Sequence, residues 1–255
     1  DSGYHAFLQY VCIQQNAQAH PAKTSTSRKA GMKEKRAKKT QARSQETRET
    51  IYEAALVLFQ KKGFEDATMR EIAASAGVAL GSAYYYFRTK EEVVLEFYKR
   101  TLEKDDQIKA YFKEETGLKE RITYVIRLRI KQFAPFKKFL WVLAKNAVVP
   151  GSPLSPFSEE SAEIRDKAIA IFEEAVADCK PAPAQLAKEL PFLLWLYQLG
   201  ILLFWVLDQK KTMRKTDILL NTTSEMIVWL VKSSGLPIFG GISKRISTLI
   251  QELRD

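Results

Sequence analysis

Residues 68–92 read "TMREIAASAGVALGSAYYYFRTKEE", and this stretch decides the fold. Thr68 followed by Glu71 is a capping box, in which the threonine oxygen accepts from the glutamate amide while the carboxylate reaches back. Behind it Met69, Ile72, Ala73 and Ala76 fall on one stripe of a short helix. Gly77 permits a tight turn, and a second short helix is predicted from about Ala79 to Phe87. Thr89 and Glu92 repeat the capping pattern and open a longer helix. The small side chains of Ala73, Ala74 and Ala76 let the two short helices approach closely. A helix turns by about 100° per residue, so Tyr84, Tyr85, Tyr86 and Phe87 cannot all face one core. At least one of these rings belongs on the surface.

Upstream, Ile51, Ala55, Leu58 and Phe59 keep the spacing of a helix with one buried stripe. Gly63, just past Lys61 and Lys62, is placed as a C-terminal stop. Two short helices joined at a glycine turn, with a longer helix on each side, make a helix-turn-helix.

The residues add more than the spacing. Residues 47–93 resemble, without a gap, the DNA-binding domain of the TetR/AcrR family of bacterial transcriptional regulators. The resemblance rests on "ALVLF" at 55–59, Gly63-Phe64, "IAASAGV" at 72–78, "GSAYYYF" at 81–87, and Lys90. Ala83 and Val93 stand where that family often has leucine. The resemblance implies that Tyr84 and Tyr85 turn their hydroxyls to the DNA backbone and that Phe87 fills the core. Tyr86 either reaches a phosphate or packs inward. Ser82 is expected against a base or phosphate, and Gly81 lets its amide approach the duplex. Thr68 and Lys90, at helix N-termini, are expected near phosphates, unless Thr68 serves only as a cap. Arg70 matches a position that reads a base in some relatives. The resemblance further implies a homodimer formed by the last two long helices, a palindromic double-stranded DNA operator, and a small-molecule effector pocket. A ligand-responsive repressor is the function expected from it.

Composition agrees with a polyanion partner. The chain has 255 residues and a net charge of +10. Residues 1–50 carry ten basic and four acidic side chains, so most of the excess lies in the first fifth of the chain. The run "RKAGMKEKRAKKTQAR", residues 28–43, has no apolar stripe; residues 1–43 are expected to form a disordered basic arm. Such an arm either follows DNA phosphates or serves as a solubilising end. Met32 is the first methionine and one candidate for the native start; "AFLQYVCI" lacks the basic flank of a secretory leader. Cys12 and Cys179 give no disulfide framework or zinc spacing, and a cytoplasmic location is expected. The only histidines, His5 and His20, lie in the arm. No dinucleotide-binding or phosphate-loop motif occurs, so neither an enzyme nor a cofactor or metal is expected.

Beyond the helix-turn-helix (44–92) the chain reads as all-α. Helices are predicted near 90–114, 118–133, 136–147, 159–179, 184–209 and 213–233, with a loop at "VVPGSPLSPFSEES". An effector-binding and dimerisation domain is expected over 93–235, and a tail with a short helix over 236–255. Residues 190–207 run without a charge, which fits either a dimer-core helix or a membrane span; the dimer helices 184–209 and 213–233 are the preferred reading, with no membrane. Phe112, Tyr124, Phe133, Phe139, Trp141, Phe172 and Trp195 are candidates to line the effector pocket. Among Arg127, Arg129 and Lys131, one either points inward to an anionic ligand or all belong to a solvated face. The competing functions are a helical lipid- or partner-binding protein without DNA activity, or a membrane-attached regulator.

Overall fold

The computed structural model describes residues 25–103, 106–115, 117–147, 149, 151–177, 184–208 and 213–233. The expected terminal helix near 242–253, both cysteines and both histidines lie outside them. Among the described residues every regular element is helical. The chain forms two compact units, one through Thr47 and one from Arg48 onward.

Helix α1 spans Ser25–Lys62. The basic run 28–43, expected to be disordered, is helical instead. Its lysines, arginines, alanines and glutamines are good helix formers, which an argument from missing apolar stripes overlooks. The arm's residues 1–24 lie outside the described ones.

In the second unit Ile51, Tyr52, Ala55, Leu56 and Phe59 of α1 are buried, and Leu58 half-buried. Gly63 ends α1 at φ +93°, and Gly77 takes φ +66° between α2 (Met69–Ser75) and α3 (Leu80–Tyr86). These are left-handed positions that glycine occupies without a Cβ penalty. Close approach of α2 and α3 is made by Ala73 and Ala83, both buried; Ala74, expected to share that role, is exposed.

The single helix expected over 90–114 is two, α4 (Lys90–Leu102) and α5 (Asp106–Glu114). No apolar residue lies between Leu102 and Ile108, so one stripe cannot run through. Then come α6 (Leu118–Phe133), a 3-10 turn (Ala134–Phe136), α7 (Lys137–Ala147), α8 (Ala162–Ala177), α9 (Ala184–Leu207) and α10 (Arg214–Ser233). The boundary expected at 92/93 falls inside one core. Phe59 of α1 stacks on Phe139 of α7 at 5.3 Å, and Phe97 of α4 packs edge-on to Phe136 at 4.8 Å.

A buried arginine that nothing in the sequence pattern marks out pins this arrangement. Arg121 of α6, 1% exposed, donates to the carbonyls of Phe112 (2.7 Å), Glu115 (2.6 Å) and Ala175 (3.2 Å). It thereby satisfies chain ends of α5 and α8, whose last carbonyls have no intrahelical donor.

Candidate nucleic-acid interface and ligand cavity

The seven-residue α3 is held by its small inner face. Ala83 is fully buried and Phe87, directly after the helix, is 1% exposed beneath the Arg48 guanidinium at 4.9 Å. That anchoring turns the other side outward: Tyr84 is 48% exposed and Tyr85 80%. Neither hydroxyl has a hydrogen-bond partner among the described residues. Tyr86 is half-buried and meets Tyr85 edge-on at 5.0 Å. Gly81 is exposed with open space where a Cβ would stand, and Ser82 is half-buried. Arg70 is exposed on the first turn of α2. Thr68, Arg70, Gly81, Tyr84 and Tyr85 are thus solvent-accessible and come from the two short helices and their lead-in.

Two expected phosphate neighbours have internal work. Thr68 completes its capping box: its oxygen accepts from the Glu71 amide at 3.3 Å, and its own amide donates to the Glu71 carboxylate at 3.0 Å. Lys62 adds a 2.7 Å ion pair to the same carboxylate, and with Thr68 holds it down at a pKa of about 2. The Lys90 ammonium donates to the carbonyls of Phe64 (2.7 Å), Glu65 (2.9 Å) and Ala67 (3.3 Å), over the Phe64 ring. Its charge is spent on the loop that leads into α2. The second capping box is incomplete: Thr89 caps the Glu92 amide, but the Glu92 carboxylate accepts from Arg88 instead of Thr89.

Helices α1 and α4 are clamped by a chain of four charges. Arg48 pairs with Glu96 through two 2.9 Å bonds, and Arg100 joins Glu96 (2.8 Å) to Glu49 (2.6 Å). The Arg48 guanidinium, aided by Arg100, holds the half-buried Glu96 carboxyl at about 2, against an ordinary value near 4.5. A depressed folded pKa stabilises above the unfolded value, and that gain is lost as pH falls through the window from about 4.5 to 2. Glu96→Gln is therefore expected to cost about 2 kcal/mol at pH 7, discounted for the exposure of Arg48. Urea denaturation should show wild type and variant converging towards pH 2; a gap unchanged with pH contradicts the clamp.

A cavity of about 660 Å³ opens among α4, α6, α7, α8, α9 and the 149–161 loop. That is within the roughly 300–1,000 Å³ range of small-molecule sites. Its walls are mostly aliphatic and aromatic, including Leu95 and Tyr98 of α4 and Trp195 and Trp205 of α9. Of the seven aromatic candidates only Phe133 and Trp195 line it. Phe112 lies under the Arg121 guanidinium, Tyr124 stacks on Tyr111 at 3.9 Å, and Phe139 stacks on Phe59. Phe172 is fully buried away from the cavity, and Trp141 is exposed beside Lys145. Helices buried on several sides carry aromatic rings in every direction, so residue type alone does not choose among them. Of the three cations on α6, Arg129 is 2% exposed and lines the cavity. Arg127 instead faces Asp217 and Asn221 of α10, and Lys131 is exposed.

The charge-free stretch lies on α9, long and apolar enough to cross a bilayer by length and composition. Leu190, Leu194, Trp195, Ile201 and Trp205 turn into the unit. The Tyr197 hydroxyl ties α9 to α10 through Thr223 at 2.6 Å and the Leu220 carbonyl at 3.2 Å. Outside this junction α9 and α10 expose Leu203, Leu207, Ile218, Met226, Trp229 and Leu230.

Comparison with known proteins places both parts. Residues 51–97 match the family model "Bacterial regulatory proteins, tetR family", and residues 121–244 match "Tetracyclin repressor-like, C-terminal domain". The chain is 47% identical over 58 residues to the HTH-type transcriptional regulator SrpR of Pseudomonas putida, which is 23% of this chain and 27% of that regulator. The chain thus spans about a quarter of the length of this curated relative. A TetR transcriptional regulator from Nitrosomonas europaea shares the fold at a TM-score of 0.57 and 20% identity, over 72% of this chain and 98% of that one. So does Thermus thermophilus FadR, a repressor solved with lauroyl-CoA, at 0.55 and 21% identity, over 74% and 95%. With one model on the helix-turn-helix and the other on the helices that follow, the chain belongs to the TetR family of bacterial regulatory proteins.

Proposed function

We propose that the protein is a cytoplasmic transcriptional repressor that binds a palindromic DNA operator as a homodimer and releases it when a small molecule enters the cavity. The exposure of Tyr84 and Tyr85 on a helix pinned from behind by Ala83 and Phe87 carries the DNA part. Two aromatic hydroxyls without internal partners, with Gly81 exposed on the same helix and Arg70 exposed on α2, suit backbone and base contacts in a major groove. The exposed apolar side chains of α9 and α10 supply a self-complementary surface, and a two-fold axis through it gives two reading heads for two half-sites.

Helix α4 couples the two activities. Its Leu95, Tyr98, Thr101 and Leu102 form part of the cavity wall, while Lys90 at its start grips the loop before α2. A ligand that prefers one position of α4 shifts the spacing of the reading heads by its differential affinity for the two states. Thermus thermophilus FadR in its complex with lauroyl-CoA supports an apolar-bodied effector as one that this fold accommodates.

Sequencing of DNA recovered with the purified protein tests the proposal: fragments sharing an inverted repeat support it, and a protein that retains no specific DNA contradicts it. The basic arm adds a second readout. Binding is expected to weaken steeply with salt. Deletion of residues 1–43 is expected to flatten the slope of log K against log salt by roughly 0.9 for each phosphate that the arm neutralises. An unchanged slope would remove the arm from the interface.

A further inference from the structure

The cavity wall contains a polar group that the fold leaves unanswered. Gln198 on α9 is 5% exposed and lines the cavity, and its Oε1 has no hydrogen-bond partner among the described residues. Between residues 190 and 207 the sequence is otherwise apolar except for Tyr197 and Gly200, and the Tyr197 hydroxyl is bonded to α10. A leucine at 198 would bury the same space without desolvating an amide, so stability alone disfavours the glutamine. Besides the hydroxyl-bearing Tyr98, Thr101, Ser155 and Ser161, the charged part of the wall is one-signed. Among the described residues Arg129 and Arg165 line the cavity and no Asp or Glu does. Both arginines already donate to backbone carbonyls, Arg129 to Thr101 and Arg165 to Pro156. Arg165 also lies 3.9 Å from the Asp166 carboxylate, but no carboxylate lines the cavity, so the wall disfavours a cation.

We infer that Gln198 is the polar anchor of the cavity, and that the ligand is a non-cationic, predominantly apolar molecule whose head group donates an O–H or N–H to Gln198 Oε1. The inference rests on the cavity being the effector site, and it adds which chemistry the site selects. A cationic amphiphile of the same size is rejected by the two guanidiniums. An ether of the same size fits but leaves Oε1 unmet.

Three probes with one decyl chain separate these cases: 1-decanol, decyl methyl ether and decyltrimethylammonium, titrated calorimetrically into the full-length protein. The alcohol is expected to bind about tenfold tighter than the ether, as one buried hydrogen bond allows. The ammonium is expected to bind at least about tenfold more weakly than the ether. Gln198→Leu should abolish the preference for alcohol over ether, keep the ether's affinity, and unfold at the same or a higher temperature. Gln198→Met serves the same comparison if the leucine variant does not fold. Ala168→Trp, which fills the cavity, should block all binding that occurs there. If alcohol and ether bind equally to wild type, or the preference survives in Gln198→Leu, the anchor is overturned while the cavity stands. Binding of the ammonium as tight as the ether overturns the charge selection. If no probe binds, the anchor and the effector site fall together.

Discussion

Replacing Tyr84 and Tyr85 together by alanine is expected to weaken operator binding by the dimer by roughly 10,000-fold, about 100-fold per subunit, while leaving the protein as stable as before. The size follows from two hydroxyls per subunit, each donating to a charged phosphate oxygen at about 1.5 kcal/mol or more. The unchanged stability follows from exposure, since substitutions at such positions usually fall within about 0.5 kcal/mol of neutral. Both rings point away from the core, which at α3 consists of Ala83 and the following Phe87. Fluorescence anisotropy with operator DNA measures the first quantity and urea denaturation the second. A stable variant that binds normally would mean that the tyrosine rim does not touch DNA. An unstable one would mean that the rings are structural.

Lys90→Met is expected to behave in the opposite way, costing about 3 kcal/mol of stability and reducing DNA binding only as a consequence. Methionine keeps the packing of the stem but removes the ammonium from the carbonyls of Phe64, Glu65 and Ala67. That loop begins just after Gly63 at φ +93° and ends at the Thr68 cap, so it fixes where α2 starts. Loss of the ammonium frees the loop, and α2 and α3 lose their register relative to α4. The sequence alone points Lys90 towards a phosphate, and the two roles leave different marks. A lysine on a phosphate would, when removed, lower the salt slope by about one per site without any change in stability. An internal grip lowers stability and leaves the slope of the remaining binding unchanged.

How far each feature is legible in the sequence depends on how local its cause is. Thr68 with Glu71, and the glycines at 63 and 77, act within a few residues of themselves, and the structure places them as the spacing predicts. The surface position of the tyrosines follows from helix geometry alone. The Thr89 box is half wrong because Arg88, one residue outside the motif, offers its amide to Glu92. Lys90 cannot be assigned from its neighbours because its partners lie 23 to 26 residues away. The cavity is the least legible part. Its walls come from six helices or loops, and which aromatic faces it depends on how those helices pack. Gln198 does carry a signal, as a lone amide in an apolar run, yet by sequence it is no more than an interruption. Within α6, Arg129 falls inside the stripe of Ile122, Val125, Ile126 and Ile130 and Arg127 falls opposite it, so helical spacing carries that signal. Arg121 lies at the edge of the stripe, where spacing does not decide.

The central claim is that the outer rim of α3 meets duplex DNA, and a photocrosslinking side chain at that rim tests it most directly. With p-benzoyl-phenylalanine placed at position 85, irradiation of the operator complex is expected to yield a covalent protein–DNA adduct. The same side chain at Phe157, exposed at the cavity, is expected to yield none. A protein that binds operator yet forms no adduct from position 85, or forms it equally from 157, would contradict the account.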